Sequence, residues 1–133
     1  MSAAGRQYRV LVVDDEEPIL QVVDRTLRDA GYQTALARNG RAALDVASVE
    51  PTFDLLLTDL MMPGMRGDDL ARRLWVGHPD LKVLYLTGFP DSLFVGRPLL
   101  WDNEKLLEKP ASPQELLKAV SVALFGNPLG PGD

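Results

Sequence analysis

Asp59 stands at the end of an apolar run, Phe53-Asp54-Leu55-Leu56-Leu57-Thr58, and is followed at once by Leu60-Met61-Met62-Pro63-Gly64. A second run, Tyr8-Arg9-Val10-Leu11-Val12-Val13, ends in the pair Asp14-Asp15. Two apolar runs that stop on acids suggest one shared acidic site. Converging carboxylates repel, so without a cation at least one pKa should rise and the fold should lose stability. A hard divalent ion meets that need. Mg²⁺ takes octahedral oxygen ligands at about 2.0–2.1 Å and keeps several waters, so two or three carboxylates and a backbone carbonyl suffice. Sites of this kind commonly complete their shell with phosphate oxygens. Lys109 would add a point charge and Thr87 a hydroxyl, enough to hold the oxygens of a phosphoryl group. A carboxylate beside the metal can also act as nucleophile, since Asp forms covalent aspartyl phosphate. Asp59, alone at the end of its run, is the candidate.

Those residues need a frame that brings them together, and the chain alternates two hydrophobic periods. Residues 8–13 are short, β-branched and unbroken, as suits a strand buried on both faces of a parallel sheet. Residues 17–30 then repeat Ile19, Leu20, Val22, Val23 and Leu27 at helical spacing, with Pro18 in the first turn and Gly31 placed to stop the helix. Residues 32–37 read as a second strand, and Asn39 can cap a helix through Leu44, Val46 and Ala47 that ends before Pro51. Residues 53–58 are the third strand. Residues 67–76 form a helix with Leu70, Ala71, Leu74 and Trp75 inward, followed by the turn Gly77-His78-Pro79-Asp80. Residues 81–86 and 105–108 are the fourth and fifth strands. Between them Pro90, Gly96 and Pro98 leave room for little more than a short helix. Ser112-Pro113-Gln114-Glu115 has capping-box spacing and opens a last helix containing Leu116, Leu117, Val120, Val122, Ala123 and Leu124.

Five strands alternating with helices imply an α/β fold, a doubly wound five-stranded parallel sheet with right-handed crossovers and helices on both faces. Ligands in such sheets sit beyond the carboxyl ends of the strands. Asp14 and Asp15, Asp59, Thr87 and Lys109 all fall at that rim. The expected organisation is a short extension (1–7), one domain (8–125) and a Gly/Pro-rich flexible tail (126–133). The chain has 133 residues, no cysteine and a formal charge of −5. Disulfide, thiolate and Cys-ligated zinc chemistry are thereby excluded, and the acidic excess argues weakly against direct contact with nucleic acid. With no apolar stretch of membrane-spanning length and no signal-peptide core, the expected location is the cytoplasm.

At these residues the chain resembles the response-regulator receiver domain of two-component signalling, the fold shared with the chemotaxis regulator. The resemblance spans about 8–125 and rests on an ordered set: Asp14-Asp15, Asp59 with Met62-Pro63 and Gly67, Thr87-Gly88, and Lys109-Pro110. It implies that Asp59 accepts a phosphoryl group from a phosphohistidine on a histidine kinase or a histidine phosphotransfer domain. It also implies Mg²⁺ on Asp15, Asp59 and the carbonyl of Met61, with Asp14 helping through water. Lys109 would pair with the phosphoryl oxygens, Thr87 would swing toward them, and the peptide before Pro110 would be cis. The domain would signal by changing conformation rather than by turning over a substrate.

Two positions depart from the family pattern. Leu106 stands where a Tyr or Phe usually couples to the threonine as a rotamer switch, and the stretch between Thr87 and Lys109 is interrupted by prolines and glycine. With Glu108-Lys109-Pro110-Ala111-Ser112-Pro113, the pattern looks more like receivers fused to the C-terminus of hybrid histidine kinases than like DNA-binding regulators. Rival readings are weaker. Asp14 or Asp15 alone would read as a helix N-cap. A Mg²⁺-dependent phosphohydrolase with an aspartyl nucleophile usually has a second acid two residues on, and that position is Met61. A phosphorylation-independent interaction module normally lacks the acceptor or the lysine, and both are here. A nucleotide-binding domain would want a glycine-rich loop where Asp14-Asp15-Glu16-Glu17 stands. His78, in its turn, reads as a surface residue, and Trp75 and Trp101 as packing.

Overall fold

The computed structural model describes residues 7–50, 52–88 and 102–130. The unbroken apolar runs form the strands β1 (Arg9–Val13), β2 (Gln33–Ala37), β3 (Leu55–Asp59), β4 (Lys82–Thr87) and β5 (Glu104–Glu108). They pair in parallel in the order β2-β1-β3-β4-β5. The described helices are α1 (Glu17–Asp29), α2 (Gly40–Val49), α3 (Gly67–Gly77) and α4 (Pro113–Phe125). This is the doubly wound flavodoxin-like architecture that the alternating periods predict.

Successive strand residues face opposite sides, so a sheet covered on both faces needs apolar residues at every position. One core packs Ala43 and Ala47 of α2 and Leu70, Ala71 and Leu74 of α3 against Leu11, Val13, Leu56, Val83 and Tyr85. The other packs Leu20, Val23 and Leu27 of α1 and Leu116, Val120 and Ala123 of α4 against Val10, Val12, Leu55, Leu57, Leu84 and Leu86. β3, in the middle, is buried at all five positions.

Local signals set the helix ends. The Asn39 side chain accepts the Ala42 N–H at 2.8 Å. Ser112 and Glu115 exchange side-chain-to-backbone hydrogen bonds, 3.1 and 2.8 Å, in the capping box that the sequence spells. α4 closes on Gly126 in the left-handed region, φ 70°, where a Cβ would be costly. β3 begins at Leu55 rather than at residue 53, because the Asp54 side chain takes the Arg9 N–H at 2.9 Å and the Arg9 guanidinium stacks on Phe53. The strand also runs one residue further than predicted, so Asp59 is its last member. Trp75 is half-buried and donates from Nε1 to the Leu81 carbonyl at 2.8 Å. The short helix expected between the fourth and fifth strands, with Phe89 and Trp101, lies outside the described residues.

One contact ties the fold to the rim. The Gly67 N–H, opening α3, donates to the Leu60 carbonyl at 2.8 Å. A Cβ on Gly67 would lie 2.3 Å from the Asp59 carbonyl oxygen and 3.0 Å from Thr58 Cγ2. Glycine-to-alanine changes inside helices ordinarily stabilise by up to about 1 kcal/mol. Gly67→Ala is expected to do the reverse, lowering stability by about 1–3 kcal/mol through overpacking against backbone. The urea midpoint at unchanged slope measures it. A midpoint equal to or above wild type would contradict this close approach.

Candidate functional site

The parallel registers bring the carboxyl ends of β1, β3, β4 and β5 to one rim. Asp14 follows β1 and is 3% exposed; Asp59 ends β3 and is 6% exposed; Thr87 ends β4 and is fully buried. Asp15 is exposed. Each of Asp14, Asp15 and Asp59 offers a carboxylate oxygen, and these three oxygens lie within 4.8 Å of one another. Lys109 follows β5, which is separated from β3 by β4, and its stem carries the ammonium across the end of β4. Its Nζ sits 3.1 Å from Asp14 Oδ2 and 3.4 Å from Asp59 Oδ2. Its backbone N–H donates to the Thr87 carbonyl at 2.8 Å. The Lys109–Pro110 peptide is cis, as the resemblance implied.

Backbone donors fix the two buried acids. Asp14 Oδ1 accepts the Glu16 N–H at 2.9 Å, and Asp59 Oδ1 accepts the Met61 N–H at 3.3 Å. The residue at the α1 N-cap is Glu16, and it makes no side-chain cap. Capping therefore does not explain the acidic pair.

Burial pushes the Asp59 carboxyl up to about 6; the Lys109 charge pulls it back, while Asp14 adds to the rise. Burial also raises Asp14, against the Glu16 N–H and Lys109. For Lys109, burial acts downward, but the attraction of Asp14 and Asp59 outweighs it and holds the ammonium above its ordinary pKa. The rise expected for converging carboxylates is present, but desolvation contributes more of it than repulsion does. An all-oxygen donor set, two of its three acids raised in pKa, fits a hard divalent cation.

All the acids, the threonine and the lysine singled out in the sequence thus meet at one place. Met62 is buried in the core, whereas the Met61 side chain is 43% exposed. His78 is half-buried at the C-cap of α3. Sequence reasoning did not single out Arg66 and Asp68. They form a two-toothed ion pair beside Met61, with Arg66 Nε 3.0 Å from Asp68 Oδ1. No sequence signal marked them, because charged residues at a helix start usually face water.

Residues 10–121 match the family model described as response regulator receiver domain. The chain is 35% identical over 123 residues to the response regulator receiver protein CpdR of Brucella abortus, an alignment covering 88% of this chain and 97% of that protein. It is 34% identical to the DNA-binding response regulator MtrA of Mycolicibacterium paratuberculosis, covering 91% of this chain but only 53% of MtrA. The chain therefore spans nearly all of one relative and about half of the other. Among solved structures, the receiver domain of the hybrid histidine kinase CckA superposes with a TM-score of 0.75 at 29% identity, covering 87% of this chain and 98% of that one.

Asp59 titrates near 6 in the folded chain against 3.8 for an ordinary Asp. Folding thus favours the protonated form, and Asp59's contribution to stability is full below about pH 4 and lost as pH rises through 6. Asp14 acts in the same direction. Without divalent cations, stability is expected to fall across that window by on the order of 2–3 kcal/mol from Asp59. Asp59→Asn removes the effect, so the variant should exceed wild type by a similar amount at pH 8 and match it near pH 4. Urea midpoints at the two pH values decide; equal midpoints at pH 8 would contradict a costly buried carboxylate.

Proposed function

This chain belongs to the response regulator receiver domain family, and on that premise we propose that Asp59 accepts a phosphoryl group from a phosphohistidine and that the domain signals by the resulting change of shape. The donor is a histidine kinase or a histidine phosphotransfer domain. The observation that carries the reading is the single Lys109 ammonium shared by Asp14 and Asp59, with Asp15 within reach of both.

The step is an in-line displacement. An Asp59 oxygen attacks phosphorus, the new O–P bond forms as the P–N bond to imidazole breaks, and the imidazole leaves with the electron pair. Such a transfer depends on alignment and charge neutralisation more than on acid–base chemistry. The Met61 N–H and the Lys109 ammonium engage the two Asp59 oxygens and so orient the carboxylate. Lys109 is placed to pair with the incoming phosphoryl oxygens, and Thr87 ends the neighbouring strand with a hydroxyl to offer them. Asp14, Asp15, Asp59 and the carbonyl of Met61 would hold Mg²⁺, which when bound neutralises charge on the transferring group.

A cleft of about 310 Å³ beside Lys109, lined by Pro18, Ile19, Val22 and Leu116 among others, is nearly all apolar. It offers a partner protein a surface to rest on while its phosphohistidine reaches the rim. Met61, where aspartyl phosphohydrolases place a second acid, supports a signalling role over turnover. The domain is assigned to 8–125, with 1–7 and 126–133 as flanks. Likeness to both CpdR and the CckA receiver is compatible with a stand-alone domain and with part of a hybrid kinase. The net charge of −5 favours protein over nucleic acid as direct partner. Among the described residues no helix is long and apolar enough to cross a membrane. A phosphohistidine donor implies a cytoplasmic location.

The test is incubation with acetyl phosphate and Mg²⁺, followed by intact mass. One phosphoryl group should be gained, only with Mg²⁺, and not by Asp59→Asn. Lys109→Ala should slow the gain by about 10²-fold. A gain undiminished in Asp59→Asn would overturn the assignment. So would no gain by wild type from either acetyl phosphate or a phosphorylated histidine phosphotransfer protein.

A further inference from the structure

Arg66 and Asp68 take no part in the transfer set out above, yet Asp68 is only 8% exposed. Burying a carboxylate is costly unless it is paired and hydrogen-bonded. Arg66 pairs it with two nitrogens, Nε at 3.0 Å from Oδ1 and Nη2 at 3.2 Å from Oδ2. The Asp69 N–H adds a third bond at 3.1 Å, and the first turn of α3 favours negative charge there. A planar guanidinium gripped on two nitrogens has little freedom left. The remaining one, Nη1, meets Met61 Sδ at 3.1 Å.

Met61 is the next link. Its N–H donates to Asp59 Oδ1, and its side chain is exposed enough that packing alone does not fix it. The path from Asp68 through Arg66 to the Met61 thioether, and from the Met61 N–H to Asp59, is closed by the covalent Met61 side chain. It reaches the Asp59 oxygen that Lys109 does not contact, next to the Gly67 N–H on the Leu60 carbonyl.

We infer that Arg66, anchored by Asp68, is a positioning residue: it holds Met61 so that its N–H orients the acceptor Asp59 and its carbonyl faces the cation. The inference rests on the reading of Asp59 as acceptor and of the Met61 carbonyl as a cation ligand. A thioether is a weak acceptor, so the contact's worth lies in fixing the Met61 side chain and, through it, the backbone.

The experiment is a double-mutant cycle in the full chain with Arg66→Ala, Met61→Ala and the pair. It reads Mg²⁺ affinity by calorimetry, amide exchange at residue 61 in metal-free protein, and phosphorylation by acetyl phosphate against Mg²⁺ concentration. Each single variant should weaken Mg²⁺ by about three- to tenfold, the range of one ordinary hydrogen bond, and Arg66→Ala should speed exchange at residue 61. The pair should be no worse than either single. Arg66→Lys, which cannot grip Asp68 and reach Met61 together, should not rescue. Lower thermal stability in Arg66→Ala with unchanged Mg²⁺ affinity and unchanged exchange would overturn the inference, leaving a structural ion pair. Additive losses in the pair would overturn it too, because Arg66 would then act by another route. Wild-type protein that gains no phosphoryl group would instead sink the acceptor reading, so the two failures are distinguishable.

Discussion

A single ammonium group serves two buried carboxylates, and most of the architecture follows from that. Asp14 and Asp59 lie at the ends of neighbouring strands, where helices cover both faces of the sheet and little water remains to solvate them. Charge removed from water at that depth needs a partner. Lys109 reaches both acids only because β5 ends in register with β4 and its N–H locks onto the Thr87 carbonyl. The strand order, the register of the edge strand and the cap that starts α4 just beyond Pro110 are thus parts of one electrostatic arrangement.

The loop after Asp59 adds a steric constraint. α3 begins so close to the end of β3 that Gly67 has no room for a side chain, and the contact is with backbone, which cannot turn away as a side chain would. At Gly40 the opposing atoms belong to the Met65 side chain, so a change of Met65 rotamer would relieve part of the clash there, as it could not against backbone. The Asp59 carbonyl lies against Gly67, and its two carboxylate oxygens are engaged separately, Oδ1 by the Met61 N–H and Oδ2 by the Lys109 ammonium. The proposed role of Asp59 needs an oxygen presented in a fixed orientation, and these contacts restrict it.

Most of the fold was legible because burial on both faces leaves a plain mark: unbroken apolar runs for the strands, helical spacing between them, and caps at Asn39 and Ser112. The site was legible because the acids and the lysine stand directly after those runs. Boundaries were less legible, since Asp54 replaces a ladder bond with its side chain and delays β3. The balance of forces was hidden as well. Three acids in a sequence suggest repulsion, whereas in the folded chain burial dominates the rise at Asp59. Arg66 and Asp68 escaped notice because charged residues at a helix start usually face water, and nothing in the spacing says that Asp68 is buried. Gly67 entered only as part of a family motif; its contact with the Asp59 carbonyl is visible in three dimensions alone.

If Asp59 takes a phosphoryl group as proposed, the charge balance of the rim changes. Among the described residues, Asp14, Asp15 and Asp59 set against the Lys109 ammonium leave two negative charges unmatched when all four are ionised. A divalent cation would balance them, and a phosphoryl group on Asp59 would upset the balance again by adding nearly one further negative charge. Lys109 would then be drawn from Asp14 toward the new oxygens. Its backbone is bonded to the end of β4, so that pull would pass to Thr87 and to the ladder between β4 and β5. A site saturated with cations would absorb the added charge without moving anything. Here Lys109 is already shared by Asp14 and Asp59, so a new claim on it would alter the contacts of two strands.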